Sequence, residues 1–249
     1  MDIYNTDFEV DYKVDRSPLT LADQKANEHI VNALAGLTPD IPVLSEEGKA
    51  MDYQKRKDWE RLWLVDPVDG TKEFIKKNGE FTVNIALIQD QKPVLGVVFA
   101  PALGRIYFSS EETGAYQCFE NDLQSCQSVE DLLAHSKVLP LDTERDKFTI
   151  VASRLHMSPE TETYIERCRI EHGEIDLISA GSSLKLCLVA DGSADVYPRF
   201  APTMEWDTAA GHAVALGAGC EVINPDTGES LRYNKEDLLN PWFLVRAKD

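Results

Sequence analysis

The run DPVDGT, Asp66 to Thr71, directly follows the apolar stretch Leu62, Trp63, Leu64 and Val65, and no other segment restricts the chain's folding so tightly. Four successive apolar residues read as a buried strand, and the carboxylates, proline, glycine and hydroxyl behind them read as the turn where that strand ends. Pro67 fixes φ and removes a backbone donor, and Gly70 permits a tight turn. Thr71 then opens a candidate helix N-terminus. Asp66 and Asp69 stand three residues apart around the turn, so both carboxylates can face one cation, while the N–H groups of Gly70 and Thr71 can face an anion. Two aspartates beside a glycine are also common in plain turns, and taken alone the run favours that plainer reading.

At 249 residues the chain suffices for one large domain or two modest ones with substantial cores. A formal charge of −18 argues against nucleic acid as a partner, because a phosphate backbone demands basic surface. It does not argue against a small phosphorylated ligand, since bound cations reverse the local sign of a site. Five cysteines, Cys118, Cys126, Cys168, Cys187 and Cys220, include no CxxC pair and suit reduced, mostly buried thiols. The opening MDIYNTDFEV lacks the basic-then-apolar pattern of a signal peptide, and no apolar run approaches about 18 residues. The expectation is a soluble, cytoplasmic protein.

Ser17 to Thr20 (SPLT) reads as a turn, and Leu21 to Leu37 carries apolar residues at helical spacing, ended by Pro39 and Pro42. Val43 and Leu44 suggest a short strand closed by SEEG, Ser45 to Gly48. Strands are expected over Phe81–Ile88, Val94–Ala100 and Arg105–Ser109, forming an antiparallel sheet. The polar stretch Glu111 to Lys147 shows little periodicity and reads as a seam. Beyond it, strands at Phe148–Ala152, Ile175–Ile178, Ala194–Tyr197 and Glu221–Asn224 alternate with helices at Pro159–Cys168, Gly181–Val189 and the alanine-rich run from Asp207. The division is an α+β half, residues 1–145, and an α/β half, residues 146–249.

Asp23, Glu46, Glu47, Asp66, Asp69 and Asp207 all stand at element ends, as in sites assembled from separated segments. Each has a plainer reading: Asp23 supports a helix start in TLAD, Glu46 and Glu47 are solvated charge, Asp207 caps the alanine-rich helix. Together they outweigh those readings. A phosphoryl-transfer site commonly holds two hard cations about 3.5–4 Å apart, and four or five convergent carboxylates are the supply such a site needs.

Glu46, DPVDGT at 66–71 and WDTAAG at 206–211 resemble, in order, the three signature segments of the lithium-sensitive, magnesium-dependent inositol monophosphatase superfamily. KEFIKKNGEFTVNIALI (72–88), GSSLKLCLVADG (181–192) and YPRFAPTMEWDTAAGHAV (197–214) are similar, more closely, to its bacterial 3'(2'),5'-bisphosphate nucleotidases. The resemblance covers essentially the whole chain. It implies a layered α-β-α-β-α sandwich of the sugar phosphatase type, with two or three magnesium ions per site. Glu46, Asp66, the carbonyl of Val68, Asp69 and Asp207 are the implied ligands, Asp66 being shared between ions. Asp23 and Thr71, with Glu46, are the implied catalytic set: a carboxylate accepts from a hydroxyl, which orients the attacking water. The amides of Gly70 and Thr71 are the implied receptors of the departing phosphate.

The family's substrates carry the same leaving phosphate, so the choice among them falls to the second half. Ser153, Arg154 and His156 match a family segment near bound nucleotide, and Gly181, Ser182, Ser183 and Lys185 match the segment beneath adenosine. Arg199 is the candidate for the remote 5'-phosphate, where a guanidinium can make paired hydrogen bonds. The plainer readings are a surface cation for Arg199, a solvated helix residue for Lys185 and a loop histidine for His156. His29, His135, His172 and His212 receive no role, and Trp63 and Trp206 are expected to stiffen the ligand segments by packing.

The implied reaction is magnesium-dependent hydrolysis of the 3'-phosphate of adenosine 3',5'-bisphosphate to AMP, with the sulfated analogue as a second substrate, clearing a by-product of sulfur assimilation. The alternatives are an inositol or other sugar phosphatase and a non-catalytic nucleotide or metal sensor. Against the family pattern, roughly 15–20 residues of an initial helix are expected before IYNTDFEVDYK. A homodimer and a peripheral contact with the inner face of the cytoplasmic membrane are family expectations without a motif in this chain.

Overall fold

The computed structural model describes residues 1–8, 10–12, 18–152 and 157–248. Strands β1 (Val10–Tyr12) and β2 (Pro18–Thr20) form a small antiparallel pair, and helix α1 (Leu21–Leu37) follows at once. SPLT is therefore no turn over its described residues. Thr20 must be extended (φ −118°, ψ 165°) to act as N-cap of α1, and that draws the residues before it into a strand.

Next come β3 (Val43–Ser45), the single-turn α2 (Tyr53–Arg56), β4 (Arg61–Asp69), α3 (Thr71–Ile75), β5 (Thr82–Gln89), β6 (Lys92–Ala100), β7 (Arg105–Ser110) and β8 (Gly114–Phe119). Short helices α4 (Glu120–Leu123) and α5 (Val129–Ala134) lead to β9 (Lys137–Val138). Strands β3 to β9 form one seven-stranded sheet in chain order, antiparallel except between β3 and β4. The segment Glu111–Lys147 is thus not an irregular seam: β8 and β9 complete the sheet, but their few alternating residues are too short to register as a period.

The remaining elements are β10 (Phe148–Ala152), α6 (Pro159–His172), β11 (Ile175–Ser179), α7 (Leu184–Ala190), β12 (Val196–Arg199), α8 (Glu205–Gly217), β13 (Cys220–Ile223) and β14 (Phe243–Ala247). They build a five-stranded sheet of order β11-β10-β12-β14-β13, parallel through its first three strands. Sequence periodicity misses β14, whose FLVRA follows a proline and a tryptophan without a clear alternation.

Side-chain alternation along β4 explains the LWLV run. Leu62 and Leu64 join the large core cluster with Ala209, Ala210 and Val214 of α8, whereas Trp63 and Val65 point the other way, onto Leu34 and Ile30 of α1. A strand covered on both faces must be apolar at every position. Helix α8 lies close enough to the sheet that a Cβ at Gly96 would stand 2.4 Å from the Ala210 carbonyl oxygen. On its other side α8 meets α7, and α7 packs on the five-stranded sheet, whose far face is covered by Ile165 and Cys168 of α6. The order of layers is α1, seven-stranded sheet, α7 with α8, five-stranded sheet, α6: the expected α-β-α-β-α sandwich. The change of sheet falls between Val138 and Phe148, yet the largest core cluster takes residues from both sides of it. Four of the five cysteines are buried and all are free thiols.

Candidate active site

β4 ends in DPVDGT inside the sheet. The β4–β5 register slips between Asp66 and Asp69, and this bulge absorbs Pro67, which has no N–H for the ladder. Glu46 extends β3 by one residue, its N–H donating to the Val65 carbonyl at 3.0 Å, which brings it beside Asp66. Gly70 turns the chain in the left-handed region (φ 88°), and Thr71 begins α3.

The turn abuts the segment before α7. A Cβ on Gly70 would stand 2.1 Å from Ser182 Oγ, and one on Gly181 would stand 2.5 Å from the Glu80 carbonyl oxygen. Ser182 itself has φ +50°, and its Oγ lies 2.8 Å from the carbonyl oxygens of both Asp69 and Glu80. Glycines at 70 and 181 are thus required by contact between the two halves of the chain.

Asp66, Asp69 and Asp207 each offer a carboxylate oxygen within 4.8 Å of the others. Asp207 reaches the group from the first turn of α8. In every case one oxygen accepts a backbone N–H: Asp66 Oδ1 from Val68 (3.0 Å), Asp69 Oδ2 from Ser183 (2.6 Å) and Asp207 Oδ2 from Met204 (2.9 Å). These bonds fix the carboxylates and leave one oxygen of each unclaimed by them. Burial, then mutual repulsion and the charge of Glu46, raises the pKa of Asp66 well above the carboxylate range. Asp69 and Asp207 are raised as well, burial being the first cause for each, with Lys185 partly offsetting it at Asp69. Three acids so placed are costly without a cation. Their donors are all hard oxygens, with no cysteine or histidine in the group, and the set suits magnesium.

Asp23, 1% exposed, lies behind the cluster. Its Oδ2 accepts from Thr20 N–H and Thr20 Oγ1, and its Oδ1 accepts from Thr71 Oγ1 at 3.3 Å. Asp23 thus caps the start of α1 with one oxygen and faces the Thr71 hydroxyl with the other. The Val68 carbonyl oxygen lies 3.4 Å from the same threonine hydroxyl.

A cavity of about 430 Å³ opens over these groups, lined by Glu46, Asp69, Gly70, Thr71, Gly181, Ser182, Ser183, Lys185, Tyr197, Arg199, Thr203 and Asp207. Lys185 is not a solvated helix residue: it is 6% exposed, its ammonium donates to the carbonyls of Ser182 (2.6 Å) and Ala180 (3.3 Å), and it lies over the Tyr197 ring. Burial lowers its pKa to about 8 against the pull of Asp69. Arg199 lines the same cavity, with Nη2 on the Pro202 carbonyl. Ser153, Arg154 and His156 lie outside the described residues.

The sequence profile of the inositol monophosphatase family matches residues 1–247. The chain belongs to that family. Among curated inositol monophosphatase relatives, the 3'(2'),5'-bisphosphate nucleotidase CysQ of Salmonella typhimurium is 46% identical over 248 residues, 98% of this chain and 92% of its own. Its counterpart in Escherichia coli K12 is 47% identical over 234 residues, covering 94% of this chain and 87% of its own. The crystal structure of CysQ from Bacteroides thetaiotaomicron, described as a bacterial member of the inositol monophosphatase family, superposes with a TM-score of 0.89 at 57% identity, covering 100% of this chain and 91% of that one.

Thr82 and Asn84 of β5 also border the carboxylate cluster, although no motif marks them. They contact Asp69 Oδ2 at 3.4 and 3.3 Å. The available signal was a buried polar residue at the centre of the apolar run TVNIALI.

Proposed function

We propose that this inositol monophosphatase family member is a magnesium-dependent 3'(2'),5'-bisphosphate nucleotidase, which hydrolyses the 3'-phosphate of adenosine 3',5'-bisphosphate to AMP and phosphate and also accepts the sulfated analogue. The carrying observation is the convergence of Asp66, Asp69 and Asp207, the last two lining a cavity that Lys185 and Arg199 also line. The near full-length identity to CysQ nucleotidases supports the choice of substrate.

Asp66, Asp69, Asp207, Glu46 and the Val68 carbonyl would hold two or three magnesium ions. Bound magnesium supplies electrophilic polarisation of the phosphoryl oxygens and lowers the pKa of water. Thr71 Oγ1, its proton directed to Asp23 Oδ1, presents a lone pair to the attacking water and fixes its line of approach to phosphorus. The N–H groups of Gly70 and Thr71 receive the departing phosphate. Ser182, Gly181 and Lys185 bind beneath the nucleoside, and Arg199 pairs with the 5'-phosphate through its planar fork. The role is clearance of a sulfur-assimilation by-product in the cytoplasm, by a chain that can pair as a homodimer. No helix among the described residues is long and apolar enough to cross a membrane.

The test compares magnesium-dependent phosphate release from adenosine 3',5'-bisphosphate and from inositol 1-phosphate. Faster release from the nucleotide is expected, and faster release from inositol phosphate would overturn the reading.

A further inference from the structure

The Asp69 carboxylate is gripped from both halves of the chain by groups outside the ligand set, the Asn84 side-chain amide and the Ser183 backbone N–H. Thr82, Asn84 and Ser183 are 0%, 1% and 2% exposed, so none exchanges its hydrogen bonds with bulk water. Their proton directions follow from chemistry. Asn84 Oδ1 can only accept, so Ser183 Oγ–H donates to it at 2.7 Å. With its single proton committed, Ser183 Oγ must accept from Thr82 Oγ1–H at 2.8 Å. The Asn84 amide is thereby held with its Nδ2 toward Asp69 Oδ2, 3.3 Å away, and the Ser183 N–H donates to that same oxygen at 2.6 Å.

Hydroxyl to hydroxyl to amide to carboxylate, the relay has one direction throughout. It ends twice on one oxygen of Asp69. Turning that carboxylate would break both donor contacts in a buried setting, where an unsatisfied polar group is costly.

We infer that Ser183 and Asn84, with Thr82 behind them, are positioning residues that lock Asp69 into presenting a single oxygen to the cation, and that they tie the metal centre to the 181–185 segment. The inference rests on the proposed assignment of Asp69 as a magnesium ligand. Ser183 stands between Ser182 and Lys185, so occupancy of that segment and the aim of Asp69 share one short stretch of backbone. Linkage is reciprocal: a ligand that steadies positions 182–185 strengthens cation binding, and the cation strengthens binding of that ligand.

Magnesium binding to the substrate-free protein, followed by titration calorimetry, tests this directly. Ser183→Ala removes one oxygen atom and keeps the backbone N–H on Asp69, and Thr82→Val is close to isosteric. Weakening of magnesium binding by about 10–100-fold is expected for Ser183→Ala, and a smaller loss for Thr82→Val, with Thr82→Ser restoring it. In turnover, the concentration of magnesium for half-maximal rate should rise more than kcat falls. Asp69→Asn is measured alongside. If Asp69→Asn abolishes binding while Ser183→Ala and Thr82→Val bind magnesium as the parent does, the positioning role is overturned and the ligand assignment stands. If Asp69→Asn also binds normally, the ligand assignment fails and takes this inference with it.

Discussion

Thr71 Oγ1 and Asp23 Oδ1 face each other at 3.3 Å, although 48 positions separate them in the chain. The other oxygen of that aspartate is occupied by Thr20, so a single carboxylate both starts α1 and orients a hydroxyl in the cavity. The two duties are separable by mutation. Thr71→Val should lower kcat by about 10²–10⁴-fold with little change in melting temperature. Thr20→Ala should cost about 0.5–2 kcal/mol of stability, with a smaller kinetic loss. Steady-state kinetics and thermal melts on both variants check this; comparable kinetic losses in the two would refute the division.

Removing the cation should do more than stop turnover. Three carboxylate oxygens within 4.8 Å repel one another, and a cation that binds only the folded state adds stability by mass action, about 2.7 kcal/mol at a hundredfold excess over its Kd. Chelator-treated protein should therefore melt lower and recover on addition of magnesium. Asp69→Asn should be folded and inactive, and should lose most of the magnesium-dependent gain in melting temperature. A full gain in that variant would count against the ligand assignment.

Gly70→Ala tests the contact between the DPVDGT turn and Ser182. A left-handed φ of 88° and a Cβ 2.1 Å from Ser182 Oγ leave no room for a side chain. The strain alone is about 1–3 kcal/mol, and displacing Ser182 disturbs the hydroxyl's contacts with Asp69 and Glu80. Expected are a lowered urea midpoint and a loss of activity that excess magnesium does not restore. An unchanged midpoint would show that the turn relaxes freely.

His212 predicts a pH dependence of stability. It is fully buried against Tyr233, and burial lowers its pKa to about 3. The unfolded chain protonates this histidine below about pH 6.5, whereas the native state keeps it neutral down to about pH 3. Within that window the unfolded state carries the extra proton, so stability falls as pH falls, by about 1.4 kcal/mol per pH unit. The difference in urea-unfolding stability between the parent and His212→Gln should carry this slope below about pH 6.5 and be flat from there to about pH 8. Parallel curves would place the histidine's titration elsewhere.

Local pattern carried much of this structure. The LWLV run, the α1 period and the strand runs between Phe81 and Ser109 are short-range signals, and the elements they mark are present. The convergence of acids was legible because hard-cation chemistry asks for several oxygens from separated segments. What remained illegible depends on contacts between segments. SPLT carries turn residues, but Thr20 is extended to cap α1 and Pro18–Thr20 pair with β1. Lys185 sits in an ordinary helical pattern, and only the folded cavity shows its ammonium held by two carbonyls. The Ser183 N–H reaches Asp69 across 114 residues, and no spacing rule anticipates that.

Helix α8 gives the molecule a mechanical property. It carries Asp207, yet it is pressed against the sheet that carries Asp66 and Asp69, so closely that Gly96 can bear no Cβ. Swinging one half of the chain away from the other would expose that apolar layer and carry Asp207 away from Asp66 and Asp69. The spacing of the three carboxylates is therefore set as much by helix–sheet packing as by the turn that carries two of them.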